Sequence, residues 1–202
     1  MEKRKINKSW LIITGSLLFL IGTSLIFYDF YSNRKIKKDE ENAIQEYYKE
    51  EIKTKSLDDE IIQPKEEASV NKINYIAILK IPKINLERGL VEPNSYLNNV
   101  NYNVEILDDS DMPNVKSGNV ILAAHSGNSR ISYFKNLDKL DIGDEISIDY
   151  QNKTYTYKVT DKYLIEKTGT AEIIKNKNKN TLTLITCKHN TNNQIVIIAE
   201  LK

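Results

Sequence analysis

The chain has 202 residues, room for one ordinary domain plus accessory segments. Its 29 basic and 28 acidic side chains leave a net charge of +1, without the basic excess of a general nucleic-acid binder. A hydrophobic share of 40% supports a real core, and the single cysteine excludes an intramolecular disulfide.

Lys3, Arg4, Lys5 and Lys8 precede an uncharged apolar run over residues 10–28. That run is close to the roughly 20 residues a helix needs to cross the hydrocarbon core. The leading cations predict a cytoplasmic tail, residues 1–9, although Arg34, Lys35, Lys37 and Lys38 on the far side dilute the charge rule. The run ends in SLIFYDFYSN, which lacks a small-residue cleavage site, so the expectation is an uncleaved transmembrane signal-anchor rather than a cleaved leader. Residues 29–72 read as an extracellular stalk. Glu41, Glu46, Lys49 and Glu50 fit the solvent side of a short helix, and Ser56 to Lys72 reads as a loop broken by Pro64.

Residues 73–202 change to short strands. INYIAILKI is rich in β-branched residues and stops at Pro82, while GNVILAAH fits a strand buried on both faces. ISYFKNLDKL spaces Phe134, Leu137 and Leu140 by three, predicting a short amphipathic helix that ends near Gly143. DEISIDY and KTYTYKVTDKYLI alternate with period two around QNK, the pattern of a hairpin. TLTLITC and QIVIIAEL close the chain. About eight short strands with one or two small helices predict a mainly β fold, an eight-stranded barrel of mostly antiparallel strands. No βαβ rhythm and no glycine-rich phosphate loop is present.

Two reactive side chains stand at strand ends beside polar loops. Cys187 ends TLTLITC and is followed by KHNTNN; His125 ends the VILAA run and is followed by SGNS. An extracellular lone thiol has no disulfide role and invites another explanation, against the alternative of a small buried hydrophobe. An ordinary thiol has a pKa of about 8.5, and an adjacent imidazolium favours the nucleophilic thiolate and can protonate a leaving amine. Spacing alone does not pair the two residues.

The combination resembles the sortase family of Gram-positive bacteria. ILKIPKINLERGLVE is similar to its first strands, NVILAAHSGNSRISYFKNLDKLDIGDEI to its histidine block, and TLTLITCKHN with QIVIIAEL to its cysteine and final strands. The resemblance covers residues 73–202 and implies a sortase-type barrel acting as a membrane-anchored cysteine transpeptidase outside the cell. It implies an LPxTG-like sorting signal on exported proteins as substrate and an amine on a cell-wall precursor or pilin as acceptor. It implies Cys187 as nucleophile, His125 as general acid/base, and Thr186, Ala124 and Ser126 as substrate-binding positions. No cofactor, metal or nucleic acid is implied.

One position departs from the family pattern. Gln194 stands where sortases commonly carry an arginine before the last strand. An amide can donate to a developing oxyanion but lacks the charged bidentate fork of arginine. Three readings stay open: Gln194 donates, another cation such as Arg130 or Lys188 substitutes, or the protein is a weak or silent surface-binding module. His189 beside Cys187 makes a metal site conceivable, but a lone Cys-x-His pair is a poor match to known spacings, and an exposed loop histidine is expected. Asp108, Asp109 and Asp111 read as a polar loop, and EKTGTAEIIKNKNKN is expected to line the substrate groove by likeness.

Overall fold

The computed structural model describes residues 8–56, 73–168, 173 and 176–202. They divide into two compact units, Met1–Asn42 and Ala43–Lys202. A single helix, α1 (Lys8–Ser56), includes residues of both. Within the first unit its apolar stretch is exposed along its length, with Leu18, Phe19, Ile26 and Phe27 each about 70% accessible. The helix is long and apolar enough to cross a membrane. The expected loop over residues 57–72 lies outside the described residues.

Eight strands build the second unit: β1 (Ala77–Ile81), β2 (Leu86–Leu90), β3 (Glu105–Ile106), β4 (Asn119–Ala123), β5 (Glu145–Tyr150), β6 (Lys153–Glu166), β7 (Thr181–Cys187) and β8 (Asn193–Leu201). They form one sheet in the order β2-β1-β5-β6-β8-β7-β4-β3, curled into a nearly closed barrel. All neighbours are antiparallel except β4 and β7, which run parallel. Pro82 ends β1 as expected, because it has no N–H to give the ladder. The β5–β6 hairpin turns on Gln151 and Asn152, both with positive φ (50° and 60°), the geometry that matches strand twist. Alternate residues such as Leu79, Leu122, Ile146, Tyr157, Leu184 and Ile197 fill the interior with almost no exposure.

The segment ISYFKNLDKL is corrected by the structure. It carries a single 3-10 turn, Leu137–Lys139, rather than an amphipathic α-helix. Phe134, Leu137 and Leu140 are all fully buried, so the spacing marked core positions correctly. A strict three-residue period without an i+4 partner suits 3.0 residues per turn as well as 3.6.

Within residues 43–52 of α1, Ile44 and Tyr47 are buried rather than solvated. Ile44 and Tyr47 pack with Tyr75, Ile78 and Val91 in a second buried cluster on the outside of the barrel. Gly89 lies beneath the Tyr75 ring, where an added Cβ falls 2.3 Å from ring carbons. Tyr48 Oη donates to Asp149 Oδ2 at 2.7 Å, and Tyr47 Oη lies 3.2 Å from the Asp149 carbonyl. Asn152 N donates to Glu51 Oε1 at 2.8 Å. A fragment beginning at Ile73 loses this helix end and uncovers Tyr75, Ile78 and Val91. Compared with one beginning at Ala43, it is expected to lose about 3–5 kcal/mol, read as a fall in Tm on the order of 10 °C. Equal melting temperatures would show that the helix end adds nothing to the barrel.

Asp149 is the polar centre of that contact. Burial pushes its carboxyl up, but hydrogen bonds from Thr154, Lys80 and Tyr48, with the Lys80 charge, outweigh burial and hold it below the usual carboxylate value. Lys80 Nζ lies 2.9 Å from Oδ2 and Thr154 Oγ1 donates to Oδ1 at 2.6 Å. A carboxyl whose folded pKa is lowered stabilises the fold above its unfolded pKa, and that contribution disappears as pH falls through the folded value. Wild-type protein is therefore expected to lose more thermal stability between neutral pH and the acid range below the ordinary aspartate pKa than Asp149→Asn does. Parallel losses in the two proteins would contradict this.

Candidate active site

The site forms where β8, β7 and β4 lie side by side. Cys187 pairs with Gln194 across the antiparallel β7–β8 ladder, so both side chains project from the same face. The parallel β4–β7 ladder ends at Ala123 opposite Ile185, and extending that register two residues brings His125 level with Cys187. Gln194 thus flanks Cys187 on one side, and the path that continues β4 to His125 flanks it on the other.

Polar side chains pin this register. Asn119 Oδ1 accepts hydroxyls from Thr181 at 2.8 Å and Thr183 at 3.0 Å, tying the start of β4 to β7 on the outer face. At the other end Thr186 Oγ1 donates to Ala124 O at 2.7 Å, Ala124 N donates to Ile185 O at 3.3 Å, and Ser126 Oγ donates to Cys187 O. A one-residue slip would move Cys187 to the opposite face from its partners. Thr186 is only 3% exposed and its hydroxyl proton is committed to β4. Thr186, Ala124 and Ser126 therefore act here as ties between the site strands, with Ser126 also lining the pocket beside the thiol.

The backbone of His125 is anchored to the core, because its carbonyl accepts from Phe134 N at 3.0 Å and Phe134 is fully buried. Asn101 Oδ1 lies 3.5 Å from Nε2 of the half-buried imidazole. Asn101 sits in the β2–β3 connection, which is well braced. Arg88 Nε donates to Asn103 Oδ1 at 2.6 Å, Asn103 Nδ2 donates to Gly89 O at 2.9 Å, and the Arg88 guanidinium stacks 4.1 Å over the Tyr133 ring. Neither Asn101 nor Asn119 was singled out from sequence: a polar residue in or beside a loop shows no periodicity.

Cys187 is partly exposed at the end of its strand. The β7–β8 turn behind it is closed by Lys188 N donating to Asn193 O at 2.8 Å, with Asn190 in left-handed backbone at φ 57°. The Gln194 amide has no side-chain hydrogen bond among the described residues, so it is available to a ligand. Lys188 is exposed in the turn and Arg130 is exposed in the loop after His125; neither faces Cys187 across a ladder as Gln194 does. His189 is an exposed loop residue, and no group of metal-binding side chains occurs among the described residues. Of the expected groove loop, residues 169–172 and 174–175 lie outside the described residues.

A family model described as the sortase domain matches residues 79–202. Sortase C1 from Streptococcus agalactiae is 26% identical, with a TM-score of 0.56 over 66% of this chain and 70% of that one. A sortase D5 transpeptidase from Clostridium perfringens is 25% identical, with a TM-score of 0.58 over 82% of this chain and 99% of that one. A lid mutant of sortase A from Corynebacterium diphtheriae shares the fold at 22% identity and a TM-score of 0.57, over 67% and 73% of the two chains. No curated protein sequence matches the chain. The domain and its barrel are those of the sortase-type transpeptidases as a class. The chain belongs to the sortase family.

Proposed function

We propose that this protein is a membrane-anchored cysteine transpeptidase that cleaves an LPxTG-like sorting signal on exported proteins and transfers the acyl group to an amine. Cys187, with Gln194 on one flank and the path to His125 on the other, carries the reading. The Cys187 thiolate adds to the carbonyl carbon of the signal's threonine, and the Gln194 amide donates to the oxyanion that develops. His125, as imidazolium, gives its proton to the departing amine, and the C–N bond breaks to leave a thioester on Cys187. Asn101 Oδ1 orients the imidazole during both transfers. An incoming amine on a wall precursor or pilin then displaces the thiolate. The apolar helix supports a single-pass anchor over residues 10–28, with a cytoplasmic N-terminus and an extracellular barrel.

Gln194 in place of arginine favours a second reading, a sortase-like barrel that binds sorting signals without cleaving them. Thiol reactivity separates the two. The enzyme reading predicts that iodoacetamide at neutral pH labels Cys187 within minutes, and more slowly in His125→Ala. A thiol that resists the reagent equally in both proteins moves the binding reading ahead.

A further inference from the structure

The strands β2 and β3 stand at the two ends of the sheet order, and side chains close the seam between them. Arg88, in β2, is 8% exposed, and Asn103, two residues before β3, is 3% exposed. Asn103 Nδ2 donates to Gly89 O at 2.9 Å, and its Oδ1 accepts from Arg88 Nε at 2.6 Å. Burying a guanidinium is costly unless its donors and its charge are met. Here Nε is met by Asn103 and the charge by the face of the Tyr133 ring, 4.1 Å away. An apolar residue of similar volume would fill the seam without that cost, so the charge calls for a reason beyond packing.

Both partners of Arg88 lead to His125. Tyr133 precedes Phe134, whose N–H donates to the His125 carbonyl at 3.0 Å. Asn103 lies two residues after Asn101, whose Oδ1 is 3.5 Å from the imidazole Nε2. The turn between the two asparagines is tight. Tyr102 N and Asn103 N both donate to Asn99 O at 2.8 Å, and Asn101 N donates to Asn99 Oδ1 at 2.9 Å. Tyr133 Oη donates to Tyr102 O at 3.4 Å, which joins the two segments a second time. Arg88 is therefore the common tie of the loop that carries the imidazole and of the turn that carries its amide neighbour. An amide oxygen only accepts, so the contact with Asn101 Oδ1 places the ring proton on Nε2 and leaves the lone pair on Nδ1.

We infer that Arg88 is a positioning residue for acyl transfer. Through Asn103 and Tyr133 it holds Asn101 against His125, keeps the imidazole in its Nε2–H tautomer, and leaves Nδ1 as the nitrogen that exchanges protons with the reacting groups. The inference rests on His125 as the general acid/base of the reading above. It accounts for the buried charge, because a stacked guanidinium grips a ring face and an amide oxygen at once, which an aliphatic side chain cannot do.

The test is long-range proton–nitrogen NMR of full-length protein in detergent, labelled with nitrogen-15 at histidine and held at alkaline pH. The chain has two histidines, and His189, exposed in its loop, is the internal reference. A solvated ring averages its two tautomers and draws its nitrogen shifts together, whereas a ring held in one tautomer keeps them apart. His125 is expected to show the wider separation in wild type and to fall to that of His189 in Arg88→Met and in Asn101→Ala. Arg88→Gln, whose Nε2 stands where the arginine Nε stood, is expected to keep most of it. Labelling of Cys187 by iodoacetamide is expected to slow about fivefold in Arg88→Met, the worth of one ordinary hydrogen bond, and to recover in Arg88→Gln. Should Arg88→Met fail to fold, Tyr133→Leu removes the ring on which the guanidinium rests and is expected to narrow the separation in the same way. A separation that survives in the folded Arg88 or Tyr133 variant but not in Asn101→Ala overturns the inference and leaves the role of Asn101 standing. A loss in Arg88→Gln as complete as in Arg88→Met overturns it too, since the residue then serves the fold alone. A separation that survives in Asn101→Ala overturns both. Whether His125 serves the thiol at all is read apart from these, from labelling in His125→Ala.

Discussion

Cys187→Ala is expected to reduce peptide cleavage and acyl transfer to background, a loss of at least about 10³-fold. The size follows from the chemistry assigned to the thiol. No other cysteine exists in the chain, and Ser126 spends its hydroxyl proton on the Cys187 carbonyl. Without Sγ there is no thioester, so both half-reactions disappear together, and residual binding of the signal does not rescue either. The substitution itself is structurally mild. The side chain is partly exposed at a strand end, and the ties that fix β7 run through Thr181, Thr183, Thr186 and the Cys187 carbonyl rather than through its sulfur. Activity should therefore vanish while Tm stays within about 2 °C. Comparable turnover by the variant would remove Cys187 from the mechanism.

Gln194→Ala is expected to lower the acylation rate by about 10²-fold, the usual cost of removing one oxyanion donor. Gln194 is directly opposite Cys187 in the ladder, on the same face, and its amide is not engaged by any described residue. Arginine there would add charge and a second parallel N–H, so Gln194→Arg is expected to hold or raise the rate. If Gln194→Ala cleaves at the wild-type rate, the donor lies elsewhere. The exposed cations Lys188 and Arg130 then become the groups to remove next.

The sequence made the reactive residues visible and hid their relationship. The strand pattern of TLTLITC and the unbroken apolar run of VILAA marked Cys187 and His125 as strand ends, because each pattern stops sharply where polar loop residues begin. That β4 and β7 are parallel neighbours, with Ala123 opposite Ile185, is a non-local fact, pinned by Asn119, Thr181 and Thr183. Nothing in the local pattern encodes it. β2 and β3 left no periodic signal either: LERGL interrupts its apolar residues with Arg88 and Gly89, both needed beside Asn103 and Tyr75, and β3 has only two residues. The end of α1 reads as a solvated charge run because six of its fourteen side chains are charged. Its docking depends on Ile44, Tyr47 and Tyr48, too few to dominate a helical pattern and dependent on partners at Tyr75, Ile78, Val91 and Asp149. Phe134, Leu137 and Leu140 show the converse, with burial legible and helix type not.

The most direct measurement is mass spectrometry of full-length protein in detergent, incubated with a panel of LPxTG-like peptides, for wild type and Cys187→Ala. The account predicts that at least one peptide leaves an acyl group on the wild-type protein, mapped to Cys187 and released by hydroxylamine, with no adduct on the variant. An adduct that persists in Cys187→Ala, or a wild-type protein that binds a signal peptide tightly without acquiring any adduct, would contradict it.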